Sequence, residues 1–141
     1  MNTIHFFKED IQFTLRHQSE LRKWMQSVIH KYNSQTDEIN CIFCSDNYLL
    51  KLNKKFLQHD YYTDIITFDN ASKKKSVSGE IFISYDRVKE NSKMFGTTLK
   101  DELHRVMIHG VLHLLGFTDE TAKKKAAMRK LEDACLAMRK F

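Results

Sequence analysis

Two histidines stand four residues apart in a leucine-rich segment, and an aspartate follows six residues after the second histidine. The segment is HGVLHLLGFTD, residues 109–119. In an α-helix, His109 and His113 differ by about 40° around the axis and about 6 Å along it, so both imidazoles lie on one face. Gly116 can end this helix in a left-handed conformation and turn the chain back, which brings Asp119 towards the histidines. Two imidazoles and a carboxylate form a suitable ligand set for one Zn²⁺ ion.

The same spacing, H-x3-H-x2-G-x2-D, matches the metzincin peptidases with aspartate in the last place. Those peptidases carry a glutamate general base directly after the first histidine, where this chain has Gly110. A peptidase of this type would lack its proton acceptor, and we expect Gly110 to leave space for a phosphate beside the metal. The alternatives are a pair of hydrogen-bonded core histidines, and Glu120 in place of Asp119 as the third ligand. His104 lies about 140° around the helix from His109, so we expect it at the surface or behind the ligands.

The elements that must position these residues follow from hydrophobic periodicity. Helices are predicted over residues 21–32, 46–57, 86–95, 98–115 and 120–138, and strands over 2–7, 38–45, 63–69 and 79–85. The polar segment 70–78 would join the last two strands as a hairpin. Asp46 is the candidate N-cap of the second helix, and Thr98 with Asp101 resembles a capping box. The order βαβαββααα predicts an α/β fold of α+β-like character, in which helices cover a small mixed sheet.

Length and composition fit a single domain over residues 1–141, which is long enough to bury a core without disulfides. Cys41, Cys44 and Cys135 suit a reducing compartment. Because Cys41 and Cys44 stand three apart on a predicted strand, they point to opposite faces and are expected to pack rather than share a metal. The chain has neither a basic leader nor an apolar stretch long enough to span a bilayer, so we expect a cytoplasmic protein with no membrane partner.

The charge favours an anionic partner. The formal net charge is +5 and the sequence pI is about 9.1, which is typical of proteins that bind RNA or DNA. The lysine runs 73–75 and 123–125 are candidates for contacts with backbone phosphates. The alternative for each run is an ordinary solvated surface.

Three segments together resemble the YbeY family of endoribonucleases, which act in ribosomal RNA maturation and ribosome quality control. They are HGVLHLLGFTD; LNKKFLQHDYYTDIITFD (52–69), similar to the family segment that ends in a TD-hydrophobic-SF motif; and GEIFIS (79–84), similar to its G-D-I strand. The resemblance covers residues 45–121 and implies a mixed α/β fold with one zinc ion held by three side chains. It also implies a single-strand endoribonuclease that acts at the 3′ end of 16S rRNA, with ribosomal RNA and the ribosome as partners.

The chain departs from the family pattern at two positions. His109 and His113 match the first two family histidines, whereas the third falls on Asp119, whose charge should make a zinc-bound water less acidic. The family arginine suspected of a role in RNA cleavage matches Leu57, so no catalytic group besides the zinc site is assigned. The candidates to replace that arginine are Lys54, Lys55 and His59.

Three classes of function are compatible with these residues. A zinc-dependent endoribonuclease is favoured, because three protein ligands leave a coordination position open, whereas structural zinc sites usually have four. The alternatives are a non-catalytic ribosome-associated RNA-binding module with structural zinc, and a metzincin-like zinc peptidase. The sequence leaves open whether water or the neighbouring 2′-hydroxyl attacks the phosphate, and it leaves the oligomeric state open.

Overall fold

The computed structural model describes residues 3–141, and its elements follow the predicted order. The elements are β1 (Thr3–Lys8), α1 (Gln18–Lys31), β2 (Gln35–Cys44), α2 (Asp46–Leu57), β3 (Ile65–Asp69), β4 (Ser76–Ser84), α3 (Tyr85–Phe95), α4 (Leu99–Leu114) and α5 (Ala122–Ala137). The predicted first strand began at Asn2, which lies outside the described residues. The expected α/β class, a small mixed sheet covered by helices, is confirmed.

Four strands form one sheet in the order β1-β2-β4-β3. β2 pairs in parallel with both β1 and β4, and β3 pairs antiparallel with β4, which confirms the predicted hairpin. β4 begins at Ser76, three residues earlier than predicted, because Ser76 and Val77 pair with Gln35 and Thr36 of β2. The loop of the hairpin is therefore shorter than expected.

The two faces of the sheet are covered by different helices. One face packs into the main core with residues from α1, α4 and α5, and this core includes Cys41. On the other face Cys44 packs with Leu49 of α2 and Ile66 of β3. The prediction that the two cysteines point to opposite faces is thus confirmed. Of the helices in the described chain, none combines the length and hydropathy that crossing a membrane requires.

Two N-cap residues were predicted, and the structure confirms one of them. The cap of α2 is Ser45, whose Oγ accepts a hydrogen bond from the Tyr48 backbone N at 3.1 Å. Asp46 was predicted as this cap but is the first helical residue. Serine and aspartate both suit the cap position, and the backbone becomes helical one residue earlier than predicted. Thr98 caps α4 as predicted, and its Oγ1 accepts from the backbone N of Asp101 at 3.0 Å.

Candidate metal centre

The end of α4 returns the chain towards its own histidines. Gly116 adopts φ 105, a conformation that favours glycine, directly after the helix. The Phe117 backbone N donates to the Leu112 carbonyl at 3.0 Å and thereby closes the turn. The chain then passes back along the last turn of α4 and places the Asp119 carboxylate beside His113. The predicted reversal at the glycine is therefore present.

Three predicted ligand side chains converge. The Nε2 atoms of His109 and His113 are 2.9 Å apart, and they lie 3.5 and 3.6 Å from the two carboxylate oxygens of Asp119. Ligand atoms at about 2.0–2.1 Å from a tetrahedral zinc ion are roughly 3.3 Å apart. The two distances to Asp119 fit this value, and the two histidine nitrogens would need to move slightly apart. Within the described chain this trio is the group able to hold a metal ion, and Glu120 is not part of it.

A buried carboxylate holds His109 from the side away from this group. Glu132 of α5 accepts from His109 Nδ1 at 2.5 Å through Oε2, and from Arg105 Nη1 at 2.9 Å through Oε1. Arg105 also donates to Asp133 at 2.6 Å. Since an ionised carboxylate only accepts, Nδ1 carries the proton and Nε2 presents its lone pair to a metal. Glu132 and Arg105 were absent from the sequence-based prediction.

The two histidines have different proton affinities. Burial lowers the pKa of His109, but the hydrogen bond and charge of Glu132, with the charges of Asp119 and Asp64, outweigh burial and leave the pKa raised. Burial and the adjacent positive charge of His109 lower the pKa of His113, against the opposing effect of Asp119. The surrounding carboxylates make the centre attractive to a cation.

A cleft of about 540 Å³ opens over these side chains, within the range of ligand pockets. α4 forms its floor, and α5, the end of α3 and the segment 63–65 form its walls. The lining residues are Thr63, Asp64, Ile65, Asn91, Phe95, Glu102, Arg105, Val106, His109, His113, Asp119, Lys125, Met128, Arg129 and Glu132. A substrate can therefore reach the candidate metal ligands from solvent.

Of the predicted basic runs, one reaches this cleft. Lys125 lines it together with Arg129, one helical turn further along α5, and in the described chain neither forms an ion pair. The run 73–75 lines a separate cavity with His30 of α1. The α5 pair thus supplies cations that are not in ion pairs, within the described chain, to the cleft that contains the histidines.

Leu57, which the resemblance matches to the family arginine, lines a smaller cavity of about 240 Å³ that His113 also lines. His59 lines the same cavity, and its Nδ1 is hydrogen-bonded to the Tyr61 hydroxyl at 2.9 Å. Lys54 pairs with Asp60 at 3.3 Å instead. Among the three candidate replacements for the arginine, His59 is the one that lines a cavity together with His113.

The expectation of open space at Gly110 is wrong. A Cβ atom there would lie 2.7 Å from Cγ2 of Ile81 and 3.0 Å from Cδ1 of Ile65, both on the sheet. The next helical position after His109 is turned by about 100°, which points it at the sheet and not at the cleft. Gly110 therefore permits close packing of helix and sheet, and its position gives no place for the glutamate of a metzincin peptidase.

His104 lies outside the ligand group, as expected, but it is buried rather than at the surface. Its Nδ1 accepts from Arg139 Nη1 at 2.7 Å, and its ring packs against Trp24. Burial, with the positive charge of Arg139, lowers the pKa of His104 to about 4. Arg139 thus binds the buried His104, and sequence spacing could not predict this contact between α4 and the C-terminal segment.

Comparison with known proteins gives a consistent result over nearly the whole chain. The family described as Endoribonuclease YbeY matches residues 3–140. The chain is 55% identical to a Cytophaga hutchinsonii protein named Endoribonuclease YbeY, over 99% of this chain and 97% of that one. An Amoebophilus asiaticus protein of the same name is 49% identical over 92% of this chain and 88% of the relative. A solution structure from Thermotoga maritima, 26% identical, superimposes with a TM-score of 0.65 over 95% of this chain and 87% of the other.

Proposed function

The chain belongs to the YbeY endoribonuclease family, and on that premise we propose that it is a zinc-dependent enzyme acting on single-stranded ribosomal RNA. It is an endoribonuclease, an enzyme that cleaves phosphodiester bonds within RNA. We place its action in the maturation of the 3′ end of 16S rRNA and in ribosome quality control. Its setting is then the cytoplasm, its partner is the ribosome, and residues 1–141 act as one domain.

The observation that carries this proposal is the convergence of two imidazole nitrogens and one carboxylate at the floor of an open cleft. In the proposal His109, His113 and Asp119 hold one Zn²⁺ ion. When bound, zinc supplies a Lewis acid that polarises a phosphate oxygen and makes a water molecule more acidic. Three ligands leave a position for substrate, which favours catalysis over a structural role.

Other side chains of the cleft act on the ligands and on the RNA. Glu132 holds the His109 ring so that Nε2 faces the group, and Arg105 holds Glu132. Lys125 and Arg129, which line the cleft, contact phosphates of the bound RNA strand. Such contacts position the strand without reading its sequence.

The test compares wild type with His113→Ala on single-stranded RNA, with zinc content measured on the same samples. His30→Ala, an exposed histidine of α1 away from the metal cleft, is the matched control. We expect His113→Ala to lose zinc and RNA cleavage together, while His30→Ala keeps both. Equal cleavage by wild type and His113→Ala would point to a contaminating nuclease and would leave the non-catalytic RNA-binding module as the better description.

A further inference from the structure

The cleft extends along α4 past the metal ligands, and it is also lined there by a buried carboxylate of which one oxygen has no hydrogen-bond partner in the described chain. Glu102 precedes His109 by seven residues, which places the two on nearly the same helix face about 10 Å apart. Glu102 is 4% exposed, and in the described chain its Oε1 has no hydrogen-bond partner. Buried acceptors are nearly always paired. The charges of Arg105 and Arg129 act on this carboxylate, but in the described chain neither guanidinium donates a hydrogen bond to Oε1, so the oxygen is left for a donor on a ligand.

Two residues of α3 line the same part of the cleft. Asn91 and Phe95 are four apart on the helix and therefore share a face. The Phe95 ring is 56% exposed, although it is one of the larger apolar side chains. Val106 and Met128 add apolar lining to the same cleft. The far part of the cleft thus combines an exposed aromatic ring, an amide and an acceptor that lacks a donor.

Aromatic, amide and carboxylate side chains are the kinds of group that recognise nucleobases. Aromatic rings stack on base faces, and a glutamate accepts a hydrogen bond from an exocyclic amino group such as N4 of cytosine. The terminal torsion of glutamate is broad, so the carboxylate can turn its unpaired oxygen towards a ligand. Uracil offers no amino group, and two carbonyl oxygens flank its single edge N–H, which would repel a carboxylate.

Resting on the proposed function, we propose that Glu102, Asn91 and Phe95 form a subsite for one base of the bound RNA. The phosphate next to that base lies at the metal centre, and Lys125 and Arg129 follow the strand along α5. Phe95 stacks on the base, and Glu102 accepts from its amino group. The subsite therefore prefers cytosine, adenine or guanine to uracil.

The test measures binding of CMP, UMP and ribose 5-phosphate to the zinc-loaded full chain by calorimetry. CMP should bind about 5- to 150-fold more tightly than UMP, the range of one good base contact. Glu102→Gln should bring the CMP to UMP ratio towards one, because an amide both donates and accepts. Phe95→Ala should weaken both nucleotides relative to ribose 5-phosphate by about 5- to 150-fold. Met94→Ala is the control, since Met94 is 71% exposed and does not line the cleft.

Equal binding of CMP and UMP to wild type, or an unchanged ratio in Glu102→Gln, would overturn the subsite. Should Glu102→Gln fail to fold, Phe95→Ala decides, and an effect no larger than that of Met94→Ala counts against the proposal. RNA cleavage that depends on His113, without any base preference, refutes the subsite alone. If the zinc-loaded protein neither cleaves RNA nor binds ribose 5-phosphate, the proposed function fails, and the subsite fails with it.

Discussion

Replacing Glu132 by glutamine removes one charge next to the candidate metal centre while preserving the shape of the side chain. The two carboxylate oxygens of Glu132 accept from different donors, His109 Nδ1 and Arg105 Nη1. A glutamine amide has one acceptor oxygen and one donor group, so in either orientation one of these donors faces another donor. His109 loses the carboxylate charge in both orientations, and its Nε2 becomes a weaker metal ligand.

The expected magnitude follows from the burial and directness of this contact. Loss of such a partner behind a metal-bound histidine lowers metal affinity by about 10- to 100-fold, or about 1.4–2.7 kcal/mol. Glu132 is only 5% exposed, so solvent screens the interaction little. The metal-free variant should also be less stable by about 1–3 kcal/mol, because a buried donor is left unpaired.

The assay is competition for zinc between the protein and a chromophoric chelator at neutral pH. Asp133→Asn is the matched control, because the exposed Asp133 accepts from the same Arg105 at 2.6 Å but is not bonded to His109. We expect this control to change zinc affinity by less than about threefold. A Glu132→Gln affinity within about twofold of wild type would refute the argument that Glu132 orients and charges the ligand.

Three other predictions concern packing, pH and RNA binding. Gly110→Ala should lower the free energy of unfolding in urea by up to about 2 kcal/mol, because the added methyl meets Ile81 of the sheet at a cost of about 1–3 kcal/mol while the better helix propensity of alanine returns about 1 kcal/mol. A stability gain of the full 1 kcal/mol or so would contradict the close approach. The pKa of His104 is 6.5 in the unfolded chain and about 4 in the folded chain. As the pH is lowered from 6.5 to 4, the unfolded chain therefore takes up the proton first, and the free energy of unfolding falls. This loss of unfolding free energy is about 3 kcal/mol. Urea titrations at pH 4 and pH 7 should show the loss in wild type but not in His104→Gln. An identical pH dependence in the two proteins would contradict the prediction. The double variant Lys125→Gln/Arg129→Gln should reduce the slope of log RNA affinity against log salt concentration by about 1.4. The control variant Lys73→Gln/Lys74→Gln should leave this slope unchanged. Equal reductions in the two variants would contradict the assignment of the phosphate contacts to α5.

The convergence of the three candidate ligands could be predicted because it depends on local geometry. His109, His113 and Asp119 lie within eleven consecutive residues, and helix periodicity with the reversal at Gly116 fixes their relative positions. The strands could be predicted for a similar reason, since alternation is a property of neighbouring residues.

The supporting residues could not be predicted, because they come from elements distant in sequence. Glu132 lies 23 residues after His109, and its charge would suit an exposed helix face equally well. The close packing at Gly110 and the burial of His104 could not be predicted, because ten of the sixteen residues of α4 are buried and the helix has no single apolar stripe to show which side faces the sheet. Spacing gives the angle between two residues, whereas the packing of α4 between the sheet, α5 and the C-terminal Arg139 decides what each contacts.

Anomalous diffraction at the zinc edge from crystals grown with zinc tests the metal centre most directly. We predict one strong peak at about 2.0–2.2 Å from Nε2 of His109, Nε2 of His113 and a carboxylate oxygen of Asp119. A peak at another position, or these three side chains pointing apart with no peak between them, would contradict the proposed centre and the mechanism that depends on it.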